Sequence, residues 1–135
     1  MDEQQQKNVT KWLKALRSND YEQGATLLRT PEDHFCCLGV ACDLISQEPW
    51  KWDREMEDWY YDEEHELPKQ SVMRNAYGVS HTDMLIPKSW LPEIDLEERG
   101  GLSTVTLDIL NDNGVSFATI ADVIERWYAE NDNSN

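Results

Sequence analysis

The run Cys36-Cys37-Leu38-Gly39-Val40-Ala41-Cys42 is apolar on almost every side of a helix, in a chain of 135 residues that carries a net charge of −15. A sequence this hydrophilic can place such a segment only at its centre. At helical spacing Cys37, Val40, Ala41, Leu44 and Ile45 form one stripe, flanked by Leu38 and Cys42. The spacing therefore predicts a buried central helix over Cys36–Ser46, opening near Asp33 or His34. Gly39 inside it forgoes about 1 kcal/mol of helix propensity relative to alanine. An interior glycine of that kind implies that another backbone, or a ligand, comes close.

The flanking sequence supplies elements to pack on this helix. Val9, Trp12, Leu13 and Leu16 recur at i, i+3, i+4 and i+7 and predict an amphipathic helix over residues 8–19, with Asn8 as its cap. Residues 20–33 read as a long connection around Leu27 and Leu28. A short helix is expected between Pro68 and Gly78, and a short strand at Met84–Ile86 in an otherwise long loop. Leu102, Val105, Ile109 and Leu110 predict one helix and Phe117, Ile120, Ala121, Ile124, Trp127 and Tyr128 another. Gly114 ends the first and Ser116 caps the second. The expectation is a mainly α fold over residues 1–135, a single compact domain with a buried central helix and a C-terminal αα-hairpin. A small sheet from the central loops, making the fold α+β, is the alternative.

Charge narrows the function classes. There are 27 acidic against 12 basic residues, a balance that repels phosphate backbones and anionic membranes and suits basic protein surfaces. Neither an 18-residue apolar run nor a basic-then-apolar leader is visible, so a cytoplasmic protein is expected. Residues 43–66 hold ten acidic and two basic residues, net −8. Within them the rings of Trp50, Trp52, Trp59, Tyr60 and Tyr61 alternate with the carboxylates of Asp53, Glu55, Glu57, Asp58, Asp62, Glu63 and Glu64. This acidic aromatic segment, residues 47–66, is the expected partner-binding surface, since large rings supply contact area and carboxylates meet Arg-rich patches. Its bland alternative is a solvated loop whose tryptophans fold back as a lid. The C-terminal αα-hairpin has the outline of a DNA-binding helix-turn-helix, but residues 102–135 hold six acids and only Arg126, so its stripe serves the core or a homodimer contact.

Three cysteines in seven positions raise metal, redox and nucleophilic chemistry. Zinc would need converging ligands, and His34, Cys36, Cys37 and Cys42 lack a second spaced pair, so no metal or cofactor is expected. Cys36, at the first turn of the helix with His34, His65 or His81 as base, is the candidate nucleophile of a thiol hydrolase. The competing reading is that all three thiols are small apolar core groups. A third class is a sponge for a small signalling nucleotide. Gly39, Arg29 and Arg74 would line its pocket, and Lys69, Lys88 and Arg99 would add charge.

Taken together, CCLGVACDL at 36–44, YEQGATLLR at 21–29 and LNDNGVSFATIADVIE at 110–125 resemble a group of small proteins found mostly in bacteriophage and prophage genomes. The resemblance implies a phage accessory role and a shared fold, without an activity that transfers residue by residue. The expectation is accordingly a non-enzymatic inhibitor or modulator. It would occupy the basic, nucleic-acid-binding surface of a host or defence protein in the host cytoplasm, without contacting nucleic acid or membrane itself.

Overall fold

The computed structural model describes residues 1–94 and 103–131. Arg99 and Leu102 lie outside the described residues. The helices are α1 (Glu3–Arg17), α2 (Cys37–Ile45), α3 (Gln70–Tyr77), α4 (Leu107–Asp112) and α5 (Phe117–Asn131). Among the described residues three two-stranded ladders join them: β1 (Glu22–Gln23) parallel to β2 (His34–Phe35), β3 (Trp50–Asp53) antiparallel to β4 (Asp58–Tyr61), and β5 (Ile86–Pro87) antiparallel to β6 (Thr104–Val105). The fold is a single α+β domain.

The central helix is where the hydropathy put it. Residues Cys37 to Cys42 of α2 are all buried, and α1, α3 and α4 pack around them. Buried polar atoms at these contacts meet backbone: Trp12 Nε1 donates to Cys37 O at 3.0 Å and Tyr77 Oη to Ala41 O at 2.6 Å. Tyr128 Oη on α5 donates to Tyr77 O at 2.7 Å. Each bond lets a large ring pack against the core without stranding its polar end.

Several boundaries differ from expectation for local reasons. Helix α1 begins at Glu3, because Asp2 and Gln5 form a reciprocal capping box; Asn8 is not its cap but donates from Nδ2 to Ala76 O at 2.9 Å. Neither Asp33 nor His34 opens α2: Asp33 sits at φ +64°, His34 is in β2, and Cys36 is the cap, its Sγ accepting from Gly39 N at 3.3 Å. The expected strand at Met84–Ile86 lies later, at Ile86–Pro87, and its partner is Thr104–Val105. Val105 is therefore in a strand rather than a helix, and the first arm of the αα-hairpin is only Leu107–Asp112. The turn holds as read, with Gly114 at φ +83° and Ser116 Oγ accepting from Thr119 N. Phe117, Ile120, Ala121, Val123 and Ile124 are buried inside the chain.

Beyond β1, residues 24–33 are irregular yet fixed. Leu28 is fully buried, its N donates to His65 O at 2.9 Å and its carbonyl accepts from Cys36 N at 3.2 Å. That carbonyl is what Gly39 accommodates: a Cβ built on Gly39 would lie 1.8 Å from Leu28 O. The close approach foreseen at Gly39 is thus a backbone strap and not a ligand.

Candidate binding surface

The cysteine segment is structural. Cys36, Cys37 and Cys42 are free and buried. Burial pushes the Cys36 thiol up to about 12, and Asp112 and Asp108 push in the same direction; the amides of Gly39 and Leu38 pull the other way and lose. Burial likewise raises Cys37 and Cys42. None of the three candidate bases serves Cys36. His34 Nε2 faces Glu22 at 2.8 Å, His65 turns to the carboxylates of Asp53 and Asp58, and His81 is buried with its pKa lowered by desolvation. Burial and these pairings lend no support to Cys36 with His34 as a candidate nucleophile, and they fit the competing reading of the three thiols as core groups. The thiolate that nucleophilic attack requires is therefore strongly disfavoured at neutral pH. Native protein is expected to resist iodoacetamide, and all three thiols should label together in urea, as quantified by intact mass. Rapid stoichiometric labelling of Cys36 in folded protein would reinstate the thiol enzyme.

Within residues 47–66, β3 and β4 form an antiparallel β-hairpin, and of the tryptophans expected in a lid Trp50 does fold onto the core. In its register Trp50 faces Tyr61 and Trp52 faces Trp59, so both aromatic pairs share one face; Lys51–Tyr60 and Asp53–Asp58 share the other. The aromatic face runs off the core. Trp50 and Tyr61 are buried edge to face at 4.9 Å, whereas Trp52 is 44 % exposed and Met56 at the turn 66 % exposed. The expected partner-binding set therefore divides: Trp50, Asp58 and Tyr61 are buried and belong to the scaffold. Trp52, Glu55, Glu57, Asp62 and Glu63 face solvent, and Asp53, Trp59, Tyr60 and Glu64 are half-buried.

Beside the hairpin is a cleft of about 630 Å³, walled by Tyr21, Phe35 and Trp50 and carrying the carboxylates of Asp20, Asp33 and Asp43. Asp43 is held by Tyr21 Oη at 2.6 Å and Trp50 Nε1 at 3.0 Å. Tyr21 was not foreseen as a site residue, nor was Asp43, because 22 positions separate them in sequence. Of the pocket expected for a nucleotide, only Arg29 lines the cleft, and its guanidinium is already engaged by Asp33 at 2.8 Å and by the Trp59 ring at 3.9 Å. Gly39 is sealed under Leu28, and Arg74 lies on α3 beside Gln70, so the three do not converge. Of the other basic side chains, Arg17 pairs with Asp122 and Glu125, and Lys69 with Asp62 and Glu63. Among the described residues no helix is long and apolar enough to cross a membrane.

No curated protein and no solved structure matches the chain. Residues 4–128 match a family described as a domain of unknown function, DUF8296, and the chain belongs to that family.

Proposed function

We propose that the protein is a non-enzymatic binding protein that docks its acidic, aromatic hairpin on a cationic surface of another protein. In the setting that its phage-type resemblance implies, that surface is the nucleic-acid-binding face of a host or defence factor, and the protein inhibits or modulates it in the host cytoplasm. The observation that carries the reading is conformational. Glu57, Asp62 and Glu63 adopt φ of +55°, +47° and +75°. Glycine relieves backbone strain in this region, and glutamate is poorly suited to it. Glutamates kept at such positions at a cost to stability suit a role in binding, and Lys69 partners only Asp62 and Glu63 of the three from within the chain. The cleft alongside, with fixed carboxylates between rings, suits an Arg or Lys side chain of the same partner. A nucleotide sponge gains no comparable support, since the one cation in the cleft is already paired.

The test uses the conflict between stability and binding. Glu57→Gly with Glu63→Gly is expected to stabilise the fold by about 0.5–1 kcal/mol per site in urea titrations. The same variant, and Trp52→Ala, should lose a salt-sensitive partner that the wild-type chain captures from host lysate. Failure of the wild-type chain to capture such a partner, or capture unchanged in both variants, overturns the proposal.

A further inference from the structure

The other face of the hairpin carries an arrangement that partner docking does not require. Asp53 and Asp58 are direct cross-strand partners next to the turn, a register at which like charges repel. His65 returns across them, with Nδ1 2.9 Å from Asp58 Oδ1 and Nε2 3.9 Å from Asp53 Oδ2. One donor atom from each of the three residues lies within 4.8 Å of the other two. Asp58 is only 8 % exposed, and its Oδ1, like His65 Nδ1, is buried without a hydrogen bond. The two atoms meet at hydrogen-bond distance without the alignment a hydrogen bond needs. A buried carboxylate oxygen left in that state is costly unless a cation answers it.

We propose that Asp53, Asp58 and His65 form a binding site for a divalent first-row transition ion of the Zn²⁺ or Mn²⁺ class. One imidazole and two carboxylates make a mixed nitrogen and oxygen set, which suits these ions better than Ca²⁺, whose ligands are oxygen alone. Donors about 2.0–2.2 Å from an ion lie roughly 3.0–3.5 Å apart, so the site closes by about an ångström on loading. Rotation of Asp53 can supply that closure. Its Oδ1 already fixes the turn by accepting from Glu55 N at 2.9 Å and Met56 N at 3.2 Å, and Oδ2 is the atom that faces His65. His65 is held from behind, because its carbonyl accepts from Leu28 N. Three protein ligands leave coordination positions for water or for a side chain of a partner.

The full-length protein, stripped with chelator, should bind one Zn²⁺ per chain by calorimetry in excess Mg²⁺, which saturates diffuse binding by surface carboxylates. Mn²⁺ should bind with the same stoichiometry by electron paramagnetic resonance, a probe indifferent to the buried thiols. His65→Ala and Asp53→Asn should each weaken both ions by more than about tenfold. Asparagine retains an oxygen for the turn, so Asp53→Asn reports on the site even if His65→Ala fails to fold. Absence of binding in excess Mg²⁺, or binding that Asp53→Asn leaves unchanged, overturns the proposal.

Discussion

Gly39→Ala is expected to destabilise the protein by about 3 kcal/mol or more, a large share of the roughly 5–15 kcal/mol that holds a domain together. Helix propensity argues the opposite sign, because alanine in a helix interior gains about 1 kcal/mol over glycine. Contact decides the matter. The new methyl would lie 1.8 Å from Leu28 O and 2.7 Å from Leu28 C, and both are backbone atoms. No rotamer change can relieve them. The strap cannot retreat either, since the Leu28 side chain is fully buried and its N and O bond to His65 and Cys36. The urea midpoint should fall with an unchanged slope. Gly114→Ala separates contact from conformation. Its φ of +83° strains alanine, but nothing lies within 4 Å, so a loss of only about 1 kcal/mol is expected. Equal losses in the two variants would mean that the strap moves freely.

The Gly39 contact shows what local sequence conveys. A glycine in an apolar helix announced a close approach, and that inference needed only periodicity and propensity. The identity of the neighbour, Leu28, depended on how an irregular segment returns across the helix, which no period encodes. The same division runs through the hairpin at residues 50–61. Interleaved rings and acids marked a surface, but the two-residue pleat decides which rings are core, and Trp50 and Trp52 differ only by their distance from the edge of the core. Cys36 was legible as a helix-terminal thiol. Its inertness was not, because burial is a property of the elements stacked over it. The grouping of Asp53, Asp58 and His65 was equally hidden, since two of them meet across strands and the third arrives from beyond the next turn.

Asn111 accounts for a motif that sequence could single out but not explain. Asn111→Ala is expected to cost about 3–4 kcal/mol, measured by urea unfolding. The residue is 2 % exposed, at the point where α4 meets α2 and β1. Its Oδ1 accepts from Cys37 N at 3.2 Å and from Gln23 Nε2 at 3.1 Å, and its Nδ2 donates to Gly24 O at 2.7 Å. Gln23 completes the network by donating to Val115 O at 2.7 Å and accepting from Phe117 N at 3.1 Å. The separated segments YEQG, CCLG and LNDNGVSF are thereby joined through two amide side chains, one of them serving the first turn of α2 and the other that of α5. Truncating Asn111 removes the partner of a buried helix-terminal N–H and of the half-buried Gly24 carbonyl, at about 1–3 kcal/mol for each group left unpaired. Gln23→Ala should be destabilising for the same reason. Because the two amides share a bond, the double variant should cost less than the sum of the singles, by about 1 kcal/mol or more in a double-mutant cycle. Strict additivity would mean that the three segments are held independently. A coupled result makes the three motifs a clamp for the scaffold, a role distinct from the recognition proposed for the hairpin.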